Sequence, residues 1–304
     1  MTVIALDVGG TYIKGGFLSG DGSLRQVERW HTGAVRGPDA VLETVLGCAA
    51  ELLRRCPTAT AAGIAVPGIV DEGSGYSVLA ANLGWRAVPV RDWLAEHLGL
   101  PVALGHDVRA GGVAEARAGA GRDCADFLFV PVGTGIAAAV FTGGRLQAGG
   151  HGRAGELGHV VVRPGGEDCH CGGRGCLETV ASAAAIARRY SRATGWHAIS
   201  ARDVRQRADG GDAVATAIWA DAVDALADGL ATAISLHDPQ RVVIGGGLAR
   251  AGEGLLAPLR AALADRLTFQ AVPELVEAQL GDWAGCMGAA FLGRDLQEYP
   301  GAGA

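Results

Sequence analysis

The sequence predicts an α/β protein built from two related halves. Three observations carry this reading. Short apolar runs of strand length alternate with longer segments whose apolar residues recur at helical spacing. A strand, a Gly-Thr turn and a second strand occur twice, at 3–18 and at 127–141, which reads as an internal duplication. Between 155 and 178 a histidine is followed by Cys-x-Cys-x4-Cys, a spacing that lets a short loop wrap one metal ion.

Residues 3–6 form the first expected strand and run into Asp7-Val-Gly-Gly-Thr-Tyr-Ile-Lys14. Gly9 and Gly10 permit a tight turn whose N–H groups can face an anion. Thr11 adds a hydroxyl donor, Lys14 a counter-charge, and Asp7 a carboxylate suited to a hydrated Mg²⁺. The turn matches neither a Walker P-loop nor G-x-G-x-x-G. A return strand is expected at 13–18, a helix at 38–56 and a strand at 62–66. Asn82-Leu-Gly-Trp85 reads as a loop in which Asn82 and Trp85 are candidates to meet a ligand.

A helix at 91–98 and a strand at 101–104 lead to Gly105-His-Asp-Val-Arg109. Open α/β sheets place their chemistry at the carboxyl ends of strands, so Asp107 is the candidate general base. A helix follows at 110–119, then strands at 125–130 and 136–141 flanking the second turn, Gly133-Thr-Gly135. Beyond the metal loop, helices are expected at 180–194, from 200 onward, and at 213–235 behind Asp212 as N-cap, the last ended by Pro239. Strand 241–247 ends in Gly245, Gly246 and Gly247, where backbone can approach a ligand such as a nucleoside closely. Helices at 255–263 and 286–296 flank a strand at 274–279, and 300–304 reads as a disordered tail.

The metal loop offers His159, Cys169, Cys171 and Cys176, four nitrogen and sulfur ligands with none missing, which predicts a closed structural zinc site. Glu156 and Glu178 bracket it, so a metal that folds this loop also fixes two carboxylates of the kind that bind polyhydroxy ligands. The other cysteines, Cys48, Cys56, Cys124 and Cys286, read as small buried hydrophobes in a reducing, cytoplasmic setting. Net charge of −6 argues against a nucleic-acid partner. No signal peptide and no apolar run of membrane-spanning length is visible.

Taken together, Asp7-x-Gly-Gly-Thr11, Gly63-Ile-Ala-Val-Pro-Gly68, Asn82-Leu-Gly-Trp85, Asp107, Gly133-Thr-Gly135, Gly155-Glu-Leu-Gly-His159, Cys169-x-Cys-Gly-Gly-Arg-Gly-Cys-Leu-Glu178 and Gly245-Gly-Gly247 resemble the ROK (repressor, open reading frame, kinase) family of sugar kinases. The likeness is strongest to its bacterial glucokinase-like members. It implies a two-lobed actin/hexokinase-like, duplicated ribonuclease H-like fold with a cleft between the lobes. The lobes are expected at 1–105, joined by a C-terminal helix 292–304 that crosses back, and at 106–291.

The resemblance also implies ATP with Mg²⁺ on the two Gly-Thr turns (Gly9, Gly10, Thr11; Gly133, Thr134, Gly135), with Gly245 to Gly247 near the adenosine. Asp107 would take the proton of the attacking sugar hydroxyl, the 6-hydroxyl of a hexose, and Asn82, Glu156, His159 and Glu178 would contact the sugar. Homo-oligomers, dimer or tetramer, are usual in such a family. One departure stands out. The family's Asn-Asp-Ala-Asn is here His106-Asp-Val-Arg109. His106 becomes a candidate sugar contact, Arg109 a cation near the base, and the substrate a modified or different hexose. Competing expectations are a non-catalytic sugar sensor of the same fold and a polyphosphate donor. A DNA-binding repressor is disfavoured, because the first strand begins at Val3.

Overall fold

The computed structural model describes residues 1–197 and 199–298. The chain divides into two compact units. The first holds residues 1–118, 149–153 and those from Asp282 onward; the second holds 119–148 and 154–281. The boundary expected at 105/106 falls at 118/119, because the helix that begins at Asp107 packs on the C-terminal helix, Ala284–Glu298, inside the first unit. The tail at 300–304 and the end of the expected helix 292–304 lie outside the described residues.

In the first unit a hairpin of β1 (Val3–Val8) and β2 (Tyr12–Leu18) is extended by β3 (Leu24–His31) on one side. On the other side β1 pairs in parallel with β4 (Ala61–Val66), and β4 with the strand Val102–His106, giving a five-stranded sheet. β1 and β4 are buried along their whole length, as their unbroken apolar runs require. Helix α1 (Pro38–Arg55) covers one face. The C-terminal helix lies against β1 and β4. It approaches so closely that a Cβ at Gly63 would overlap the Ala289 carbonyl, and one at Gly288 the Ala110 carbonyl. Only glycine fits those positions, which accounts for the Gly- and Ala-rich composition of this helix.

Three short strands, β5 (Ile69–Asp71), β6 (Tyr76–Ala80) and β7 (Trp85–Val88), form a separate antiparallel sheet that the sequence pattern does not reveal. Helix α2 (Val90–Leu98) leads into β8 (Val102–His106), and α3 (Asp107–Ala118) follows with no intervening loop.

The second unit repeats the arrangement. β9 (Phe127–Pro131), β10 (Ala139–Thr142) and β11 (Arg145–Leu146) form the antiparallel side; β12 (Arg241–Gly245) and β13 (Glu274–Glu277) form the parallel side. Strand order in the two sheets is the same, third-second-first-fourth-fifth, so the repeat read from two turns extends to all five strands of each. The expected strand 136–141 begins only at Ala139, after an isolated bridge from Val132 to Ile136.

The expected helix 180–194 is two helices. α4 (Leu177–Ala181) stops at Ser182, whose hydroxyl accepts the Ala185 N–H and starts α5 (Ala183–Thr194). α6 (Ala201–Asp209) opens with a Ser200–Asp203 capping box, and α7 (Ala213–His237) with Asp212, whose carboxylate accepts two N–H bonds. The short α8 (Gly246–Ala249) and then α9 (Glu253–Arg266) complete the unit. No helix among the described residues is long and apolar enough to cross a membrane.

Candidate active site

In the first unit, antiparallel pairing sets Asp7 opposite Lys14, and Lys14 Nζ lies 3.2 Å from Asp7 Oδ2. Burial pushes the Asp7 carboxyl above its ordinary value, with Lys14 opposing that shift. The Gly9–Thr11 turn is stapled by Thr32, a fully buried residue: Oγ1 donates to the Gly9 carbonyl at 2.6 Å and its N–H to the Thr11 carbonyl at 3.0 Å. A Cβ on Gly10 would lie 3.3 Å from Asn82 Nδ2, so the exposed Asn82 amide rests against this turn. Trp85 does not join it. The ring is 1% exposed and donates to the Pro38 carbonyl, so its role is packing.

Asp107 stands at the junction of β8 and α3. Its Oδ1 accepts the Val108 N–H at 2.7 Å, and His106 Nε2 lies 3.4 Å from the same oxygen. Oδ2 has no hydrogen-bond partner among the described residues. Burial, and then the nearby Asp7 charge, push the Asp107 carboxyl up to about 7. His106 is buried and its imidazole is pushed down to about 3, first by burial and then by Arg109, so the ring is neutral.

Arg109 departs from its expected place beside the base. The residue is 4% exposed; its Nε and Nη2 donate to Glu72 Oε1 at 3.0 and 2.8 Å, and its Nη1 to the Gly152 carbonyl at 2.9 Å. Among the influences on Asp107 its charge is the smallest. Glu72 Oε1 also accepts the His106 N–H at 3.2 Å, which ties the strand end to the same carboxylate.

In the second unit the Gly133 N–H closes on the Gly135 carbonyl at 2.9 Å, and the Ala183 N–H at the start of α5 donates to the Gly133 carbonyl at 2.8 Å. Gly246, at φ 75°, brings the triple-glycine segment against Val132, and the Leu248 N–H donates to the Val132 carbonyl at 3.0 Å. The two glycine segments expected to bind nucleotide therefore meet at the ends of β9 and β12, beside the N-terminus of a 12-residue helix. That is an electropositive setting suited to phosphate. Glu178 joins them, accepting the Ile136 N–H through Oε2 at 3.0 Å.

The metal loop brings His159, Cys169, Cys171 and Cys176 together, with all four ligand atoms within 4.8 Å of one another. Cys171 Sγ lies 3.7 Å from Cys176 Sγ, and Cys169 Sγ lies 3.7 Å from His159 Nδ1. A zinc tetrahedron with bonds of about 2.3 Å has sulfur–sulfur edges of about 3.8 Å, so the donors already stand at metal-site spacing. The other ring nitrogen, His159 Nε2, lies 3.8 Å from Glu156 Oε2. All seven cysteines are free thiols. Cys48 and Cys286 are buried as expected, whereas Cys56 and Cys124 are only half-buried.

The family model described as ROK matches residues 3–295. The chain belongs to the ROK family. The glucokinase of Thermotoga maritima is 36% identical over 308 residues, spanning 96% of this chain and 97% of that protein. The N-acetylmannosamine kinase of Citrobacter koseri is 35% identical over 293 residues, spanning 96% and 98%. Among solved structures, the ROK family glucokinase of Streptomyces griseus in complex with glucose and AMPPNP superimposes with a TM-score of 0.85. It shares 30% identity and covers 97% of this chain and 100% of its own.

Two residues of this ROK chain that matter to the site carry no sequence signal. Thr32 staples the first turn from 23 residues away, and Glu72 collects the His106 and Arg109 donors from 34 and 37 residues away. Ser182, by contrast, was visible as a capping residue type inside an apparently continuous helix.

Proposed function

We infer that Asp107 is the general base of this ROK chain's reaction, the ATP-dependent phosphorylation of a hexose hydroxyl. The chain is an ATP-dependent sugar kinase. The observation that carries the role of Asp107 is its placement. It stands at the carboxyl end of a buried strand with one oxygen tied down, the other unpartnered, and its carboxyl held near neutrality.

In the proposed step the 6-hydroxyl oxygen of the sugar forms a bond to the γ-phosphorus, the bond from that phosphorus to ADP breaks, and the hydroxyl proton passes to Asp107 Oδ2. Phosphoryl transfer demands positioning and charge neutralisation more than covalent help. The first unit would supply the Gly9–Thr11 turn, Lys14 and Asn82; the second would supply Gly133 to Gly135, Gly245 to Gly247, Glu156, His159 and Glu178. Mg²⁺ carried with the nucleotide would neutralise phosphate charge, with Asp7 as its carboxylate through ordered water.

The four-residue Cys/His cluster fits zinc as a structural ion that fixes Glu156 and Glu178 at either end of one loop. Near-equal identity to a glucokinase and to an N-acetylmannosamine kinase leaves a glucose-type and an N-acetylated hexose as the two substrate candidates. A homo-oligomer is part of the proposal, checked by sedimentation mass.

The deciding experiment is ADP release from Mg·ATP with hexoses, amino sugars and N-acetylated sugars, alongside Asp107→Ala. Turnover that falls by about 10²-fold or more in the variant is the expected result. Equal turnover in both proteins would remove Asp107 from the role.

A further inference from the structure

We propose that His106, the residue that replaces the family's usual asparagine, is a positioning residue for the base rather than a sugar contact. Its ring caps α3 through Nδ1 and holds Asp107 through Nε2–H. The inference rests on Asp107 acting as the base.

Two distances carry it. The Arg109 N–H donates to His106 Nδ1 at 3.4 Å, so that nitrogen is an acceptor. The single proton of a neutral ring then resides on Nε2. Nε2 lies 3.4 Å from Asp107 Oδ1, the oxygen that also takes the Val108 N–H. With Oδ1 facing two donors, the carboxylate cannot swing freely, and Oδ2 is the oxygen presented to a hydroxyl.

The ring is 8% exposed and its backbone N–H is fixed to Glu72, so it is held on both sides. The charged groups around this pair are Arg109 and Glu72 beside the ring, and Asp7 and Lys14 toward the carboxylate. Burial and Arg109 together keep the imidazole uncharged, so it serves as a fixed dipole and not as a second base.

Asparagine separates the two functions of the ring. Its amide reaches as far as the Nδ1 position and caps helices well, but nothing in it reaches as far as Nε2. His106→Asn should therefore keep the folding temperature of the wild type. It should lower kcat by about three- to tenfold, the cost of a less well aligned base. The acid limb of kcat/KM should move to higher pH, because the carboxylate loses a donor.

An unmoved acid limb and kcat with an altered sugar KM would make His106 a sugar contact and overturn the proposal. No change in any parameter would reduce it to a helix cap and overturn it equally. A second readout does not depend on turnover. In ¹⁵N spectra of the ring, the Nε2–H tautomer should persist from pH 5 to 8 and its Nε2 resonance should shift in Asp107→Asn. A protonated Nδ1, a titration inside that range, or no shift would overturn the inference. A wild type that phosphorylates no sugar would instead defeat the kinase reading, and the spectra would still decide the geometry.

Discussion

Glu178 Oε2 accepts the Ile136 N–H at 3.0 Å, joining the residue two positions after the last cysteine of the metal loop to the peptide just beyond the second Gly-Thr turn. A Cβ added at Gly135 would overlap the same oxygen. The carboxylate is therefore aimed by the turn as well as by the metal loop. Glu178→Gln keeps the reach but loses the charge, and a charge-assisted hydrogen bond is worth about 1.5–3 kcal/mol. KM for the sugar should rise by about tenfold or more, with a smaller change in kcat; steady-state kinetics with the best substrate of the panel checks this.

Zinc should be present at near-unit stoichiometry in freshly purified protein. Removing it with a chelator, or replacing Cys176 by serine, should lower the unfolding temperature and abolish turnover together, because His159, Glu156 and Glu178 lose their common anchor. Metal analysis coupled to thermal denaturation checks it. Full stability and activity in metal-free protein would remove the ion from the proposal.

The raised Asp107 carboxyl has a stability consequence whose sign is fixed. Its value is about 7 when folded against an ordinary 3.8. Between those values the folded chain keeps a proton that the unfolded chain has released, so this group's contribution to stability falls as pH rises from about 4 to about 7 and then levels off. Asp107→Asn should therefore raise the unfolding temperature more at pH 8 than at pH 4, while activity is lost. For the wild type, activity should climb through neutral pH as the base ionises. Melts of both proteins at the two pH values, and a pH–rate profile, check these directions.

Thr32→Val removes the hydroxyl that satisfies the Gly9 carbonyl in a fully buried position. Leaving such a carbonyl unpaired costs about 1–3 kcal/mol. The turn it holds should loosen, so KM for ATP should rise more than KM for the sugar. Equilibrium denaturation and ATP titrations of the variant give both numbers.

Glu72→Gln should destabilise the first unit without touching substrate, since it leaves the buried Arg109 guanidinium half-compensated. Breaking a buried pair costs about 3–5 kcal/mol, and the partly exposed Glu72 side chain brings the expectation down to about 2 kcal/mol. Denaturant unfolding checks it.

The parts of this molecule legible in the sequence are those whose chemistry is local. The cysteine spacing, the two Gly-Thr turns and the strand-end aspartate each lie within a few residues, and the structure assembles each of them. β3 was invisible because Leu24–His31 carries charged and polar residues along an exposed edge and lacks a buried alternation. β5 to β7 were too short to show a period. Thr32, Glu72 and the true role of Arg109 are set by partners far along the chain, and no local pattern encodes such pairings. The break at Ser182 was hidden by the alanines around it, which suit a helix on either side.

The tight fit of the C-terminal helix onto β4 and α3 has a consequence for synthesis. The first unit to emerge from a ribosome cannot close its own core, because the helix that covers β1 and β4 is the last to be made. The second unit, whose residues all lie between 119 and 281, is complete earlier. At about 5–20 residues per second, roughly 160 residues of translation separate the N-terminal strands from the helix they await. Folding order is then the reverse of chain order. A nascent chain stalled after residue 281 and treated with protease should keep its second unit and lose its first.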